Sequence, residues 1–249
     1  MRYSYRLFVV FILALAFFSL KLYSYEGNNL FAPNSEKQGF QFINKAEKLR
    51  LEGEFEKSLK LYEKSLYQAK KTPDKTSECK ILLKIGLLYW NLGQMDKSRE
   101  VYSYALTLAQ KSSFIKLQTE ADTALRIHSL YVEAKKYRSQ GQHQKSAECF
   151  QEAIDLARKA GSQDHELKCL RQLSIIHWEV GDLKKFYTLN EKALRIAQTL
   201  NHKKEQARCL NNIGLYYWKL DNYSKALSYY EKALKIAQYL KNKEEESAA

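Results

Sequence analysis

Residues 211–238 read NNIGLYYWKLDNYSKALSYYEKALKIAQ, and fragments of that stretch occur earlier in the chain. KIGLLYWNLGQMDKS begins at Lys84 and NEKALRIAQ begins at Asn190. The second half, from Ser224, sets Ala226, Tyr230, Ala233 and Ala237 on one helical face. The first half is a helix as well. Its counterpart upstream places Leu82, Ile85 and Tyr89 at i, i+3 and i+7, an apolar stripe of helical period.

The pattern recurs five times. Small residues mark its register at Ala46, Gly86, Ala134, Ser174 and Gly214, with spacings of 40, 48, 40 and 40. Three positions on stand Leu49, Tyr89, Tyr137, His177 and Tyr217. Seven positions on stand Gly53, Gly93, Gly141, Gly181 and, breaking the series, Asp221. Nineteen positions on stand Ser65, Ala105, Ala153, Ala193 and Ala233. The small residue lets a second helix come close, and the glycine allows a turn that other side chains resist. Each unit is a helical hairpin with two apolar faces. It buries them only by stacking on its neighbours.

Composition agrees with an all-α chain. Of 249 residues, 45% are hydrophobic and 28% charged, a balance that suits a folded protein. Pro33 and Pro73 are the only prolines, so helices can run unbroken. No GxSxG or phosphate-binding glycine loop occurs, and the five histidines lack zinc-ligand spacing. The residues therefore offer no catalytic, cofactor or metal site. His177 reads as a packed core residue and GSQDHE (161–166) as a solvated turn. The cysteines Cys79, Cys149, Cys169 and Cys209 form no CxxC pair and are expected to be free thiols.

With those residues in view, the chain resembles the tetratricopeptide repeat family. The family's pattern of bulky, small, Tyr, Ala, aromatic and Ala positions falls on Leu210, Ile213-Gly214, Tyr217, Ala226, Tyr230 and Ala233. The usual period is about 34 residues. The longer spacing is similar to the repeats of kinesin light chains and of bacterial scaffold and signalling proteins. The resemblance implies a right-handed α-solenoid of about five hairpins over residues 38–241, near 39–74, 79–114, 127–163, 167–203 and 207–241. It also implies a non-catalytic scaffold whose first helices line a concave, protein-binding groove.

Two copies depart from the pattern. Eight extra residues lie between the second and third, where Phe114, Leu117, Ala121, Ala124 and Leu125 keep helical spacing, so a lengthened helix is expected. The fourth copy has Phe186 where a small residue belongs and Asn190 where an aromatic belongs, so irregular packing is expected there. After Gln238 only a polar tail (242–249) remains, without the polar capping helix that closes most arrays. Three readings follow: self-association through that end, cover by a partner, or a regulatory portion of a larger protein whose effector domain lies elsewhere.

The N-terminus has two early arginines, then a mostly apolar run from Leu7 to Leu20. That run matches a signal-peptide core better than the ~20 residues of a span. Residues 1–25 are read as a signal peptide or an uncleaved membrane anchor, with 26–37 as a linker. Export, periplasmic or secreted, is the expectation, with membrane contact through 7–25 if uncleaved.

The 41 Lys and Arg exceed the 28 Asp and Glu, giving a formal charge of +13, which favours acidic partners. Export argues against nucleic acid. The groove-facing positions that the resemblance implies hold Arg50, Lys80, Lys84, Lys135, Arg138, Lys168, Arg171, Arg208 and Lys219 against Glu47 and Glu179. Trp90, Trp178 and Trp218 share one repeat position, four after the small residue. With Asn91, Asn211 and Asn212 to hold a peptide backbone, these residues are the candidate groove for an acidic peptide or protein segment.

Overall fold

The computed structural model describes residues 34–73 and 75–248, with side chains from 38 to 241. The candidate signal or anchor segment lies outside the described residues. Ten helices follow one another: α1 (Asn34–Leu51), α2 (Phe55–Lys70), α3 (Lys75–Leu92), α4 (Met95–Lys111), α5 (Ile115–Ser139), α6 (His143–Lys159), α7 (Gln163–Glu179), α8 (Leu183–Thr199), α9 (Lys203–Lys219) and α10 (Tyr223–Ala248). They pair as five antiparallel hairpins, each packed on the next. The array is longer than its sequence boundaries at both ends. α1 starts inside the expected linker, and α10 continues through the expected polar tail, where Lys and Glu favour helix.

The small residue of each first helix is a contact point. A Cβ at Gly86 would meet the Tyr102 ring at 2.6 Å, and one at Gly214 would meet the Tyr230 ring at 2.7 Å. In three copies a serine of the second helix also donates its hydroxyl to the small residue's carbonyl: Ser58 to Ala46 at 2.7 Å, Ser98 to Gly86 at 2.9 Å and Ser146 to Ala134 at 2.7 Å. The turn position takes positive φ in all five copies, and Asp221 (φ 57°) does so without a glycine. Its carboxylate accepts the Tyr223 hydroxyl at 2.9 Å.

The eight extra residues lengthen α5 to 25 residues, with Leu117, Ala121 and Ala124 buried on the face expected for them. The fourth copy is not simply irregular. Phe186 is buried, its ring centroid 5.0 Å from that of Trp178. Asn190, fully buried, donates to the Phe186 carbonyl at 2.8 Å and accepts from Asn212 at 2.9 Å. Bulk and polarity have exchanged places along α8, and the buried amide is satisfied. All four cysteines are free thiols and all but Cys149 are buried.

Candidate functional site

The array curls until its first hairpin meets its fourth and fifth. Asp164, buried in the first turn of α7, is the junction. It accepts from Asn91 Nδ2 at 2.7 Å and lies 3.5 Å from both Arg50 Nη1 and His202 Nε2. A carboxylate in that first turn also faces the positive end of its helix. Phe55 sets its ring edge-on to His202, with centroids 5.0 Å apart. Burial pushes the His202 imidazole below its ordinary range, against the pull of Asp164.

Behind this closure lies a cavity of about 620 Å³. Its wall draws Asn91 from the end of α3, Tyr131 and Lys135 from α5, Lys168, Arg171 and Gln172 from α7, and Lys203, Lys204, Glu205 and Arg208 from α9. The first hairpin adds Glu52, Glu54, Glu56 and Lys57. Cations outnumber acids on this wall. Lys168 is the deepest of them. Its ammonium donates to the Trp90 carbonyl and, at 3.1 Å, to the Asn91 carbonyl. Burial lowers it to about 8 although Glu205 and Asp164 pull the other way. Glu205 accepts a hydrogen bond from Arg208 Nη1 at 2.7 Å and lies 3.0 Å from Arg171 Nε, close enough for charge attraction, although that buried N–H makes no hydrogen bond among the described residues. The buried Gln172 Oε1 has no hydrogen-bond partner among the described residues. Such a wall can hold carboxylates by charge and hydrogen bond. It sets no nucleophile beside a base, and no group of three His, Cys, Asp or Glu able to hold a metal occurs among the described residues.

Of the candidate groove residues, Asn91, Lys135, Lys168, Arg171 and Arg208 line this cavity. The others do not join them. Trp90 is fully buried against Tyr131 and His165, with ring centroids 4.8 and 4.7 Å away, so it presents no face to a ligand. Trp178 is half-buried on Phe186, and Trp218 is half-exposed. Lys80 is exposed, and Lys84 lies 3.7 Å from Glu47. Burial alone would raise the Glu47 carboxyl, but hydrogen bonds from Arg50 and Tyr62 and the charge of Lys84 hold it at about 2. Arg138 is paired with Glu179 at 3.0 Å, and Asn212 with Asn190. Asn211 and Lys219 are exposed.

The segment GSQDHE is not a solvated turn. Its Asp164 and His165 are buried, and His165 Nδ1 lies 2.6 Å from Ser162 Oγ. With Glu205, Tyr131 and Gln172, these are the site residues that the repeat pattern misses. The acid-histidine pair in an inter-repeat link was their one visible sign.

One tetratricopeptide repeat model matches residues 80–112 and 127–159, and a second matches 187–238. No curated protein matches the chain. Among solved structures, the Rap conjugation gene regulator of the plasmid pLS20, in complex with the Phr* peptide, is 16% identical with a TM-score of 0.51. That match covers 82% of this chain and 54% of the other. A Rap protein complexed with competence and sporulation factor is 15% identical, covering 83% and 56%, with a TM-score of 0.51. BtubC (BKLC) from P. vanneervenii is 18% identical, covering 84% and 93%, with a TM-score of 0.45. The chain thus spans about half the length of the two Rap chains.

Proposed function

Because this chain is a tetratricopeptide repeat protein, we propose that it is a non-catalytic interaction scaffold whose basic interior cavity takes an acidic segment of a protein or peptide. The observation that carries this reading is the cluster of Arg208, which donates to Glu205, Arg171, whose buried Nε–H has no hydrogen-bond partner among the described residues, and the buried Lys168. An incoming Asp or Glu side chain, or a terminal carboxylate, would accept from the open Arg171 N–H and compete with Glu205 for Arg208. Lys135 and the exposed arm of Arg208 supply the outer charge that steers it inward. Both Rap structures are complexes, one of them with a peptide, which supports a peptide or protein as the partner here. The arginines ahead of the Leu7–Leu20 run support an exported location, with the array on the outer side.

The test is fluorescence anisotropy of the full chain with labelled acidic, neutral and basic peptides of equal length. Acidic peptides should bind tightest and weaken as salt rises. Lys135→Glu with Arg208→Glu should cut their affinity about tenfold or more, with the helical circular dichroism unchanged. Equal binding of acidic and neutral peptides overturns the reading.

A further inference from the structure

The inner wall of the cavity carries acceptors as well as donors. Lys168, Arg171 and Gln172 share one face of α7, at i, i+3 and i+4, and Glu205 and Arg208 lie one turn apart on α9. Two buried oxygens of this wall accept no hydrogen bond among the described residues. They are Gln172 Oε1 and Glu205 Oε2, on residues only 7% and 8% exposed. The open donors are the Arg171 Nε–H and the third N–H of Lys168, whose ammonium already donates to the Trp90 and Asn91 carbonyls. A buried polar atom without a partner is costly, so the group that completes this wall has to satisfy both kinds. A carboxylate fills only the donors. It leaves Gln172 Oε1 and Glu205 Oε2 unpaired and sets a second negative charge beside Glu205.

We propose that the cavity takes one residue carrying both a carboxylate and a free α-ammonium group: the N-terminal Asp or Glu of a peptide, or a free acidic amino acid. This deepens the scaffold reading above and rests on it. The carboxylate accepts from Arg171, Arg208 and Lys168. The ammonium, with three N–H donors, donates to Gln172 Oε1 and Glu205 Oε2. The backbone N–H of an internal acidic residue supplies one donor and no charge, so it leaves one of the two acceptors empty. Proximity makes the same selection. Arg171 Nε and Glu205 Oε2 are 3.0 Å apart, so the groups that satisfy them have to sit close together on the ligand, as the ammonium and carboxylate of a single residue do. A positive charge on another residue starts at least one Cα–Cα step away, about 3.8 Å. The space agrees, because about 620 Å³ closed on one side by the first hairpin is the size of a small-ligand site and suits the end of a chain.

The test titrates the full chain into three hexapeptides, each dye-labelled at an amidated C-terminus and followed by fluorescence anisotropy. One begins with Glu, the second is its N-acetylated form, and the third has the same composition with Ala first and Glu fourth. The Glu-first peptide should bind tightest, and acetylation or the shift of Glu should each weaken binding about tenfold or more. Acetylation makes the peptide more acidic, so charge alone predicts the opposite order. Equal or tighter binding of the acetylated peptide, or equal binding of the shifted one, overturns the proposal and leaves the acidic-segment reading standing. If none of the three binds, the proposal falls, and the acidic and neutral peptides of the first test decide the broader reading separately. Glu205→Gln should weaken the Glu-first peptide about tenfold or more and, by releasing Arg208, tighten the acetylated one, with the helical circular dichroism unchanged. Equal loss for both peptides also overturns the proposal. Unlabelled glutamate that displaces the Glu-first peptide at the peptide's own concentration assigns the free amino acid as the ligand, and displacement by unlabelled peptide alone assigns the chain end; either result supports the paired charges.

Discussion

Asp164→Ala tests whether the curl of the array is held by its junction. The substitution removes the charge-assisted hydrogen bond from Asn91 at 2.7 Å, which is worth about 1.5–3 kcal/mol. It removes an acid from the first turn of α7, worth about 0.3–1 kcal/mol. The contacts to Arg50 and His202, both 3.5 Å, are long and add little. Arg50 keeps Glu47 at 2.8 Å, so no buried charge is stranded. The expected loss is roughly 2–4 kcal/mol. Asp164→Asn retains an acceptor and should lose half of that or less. Urea unfolding followed by circular dichroism gives the loss. In a strictly linear array each hairpin answers only to its neighbours, so breaking a link between the first hairpin and the fourth should also broaden the transition. Energy transfer between dyes at residues 52 and 203 should fall as the two ends part. An Asp164→Ala chain within about 0.5 kcal/mol of the parent, with unchanged transfer, would refute the junction.

Acid should destabilise the fold through its buried imidazoles. Burial lowers His165 from 6.5 to about 4, against the pull of Asp164. Between those values the unfolded chain takes up a proton that the folded chain refuses. That contribution to stability is therefore complete above pH 6.5 and is lost as pH falls through 4, by roughly 3 kcal/mol. His165→Phe should flatten the slope of stability against pH in that window without abolishing it, since burial also lowers His128, His177 and His202. An unchanged slope counts against the reading. The exchange in α8 calls for a double-mutant cycle. Phe186→Ala should cost about 3–5 kcal/mol, and Asn190→Tyr alone about 1–3 kcal/mol from overpacking. The pair, which restores the pattern of the fifth copy, should cost less than the sum by about 1 kcal/mol or more in urea unfolding. Strict additivity would show that the two sites do not share one space.

The repeat made the hairpins legible because stacking is a short-range demand. Gly86 must be small where Tyr102 arrives, and both residues sit within one copy. The junction was illegible because Arg50 and Asp164 lie 114 positions apart and in different places within their copies. No periodicity ties them, and locally GSQDHE has the composition of a surface turn. The tryptophans show where the repeat pattern itself runs out. Trp90 and Trp218 hold the same position in their hairpins, yet the first is fully buried and the second is half-exposed. Trp90 is covered by Tyr131 of the next first helix and by His165 of the one after it. Trp218 belongs to the fifth hairpin, and among the described residues no later first helix exists to cover it. The same residue at the same register is therefore core in one copy and surface in another. What decides between them is how many hairpins follow, a property of the array that no single repeat encodes.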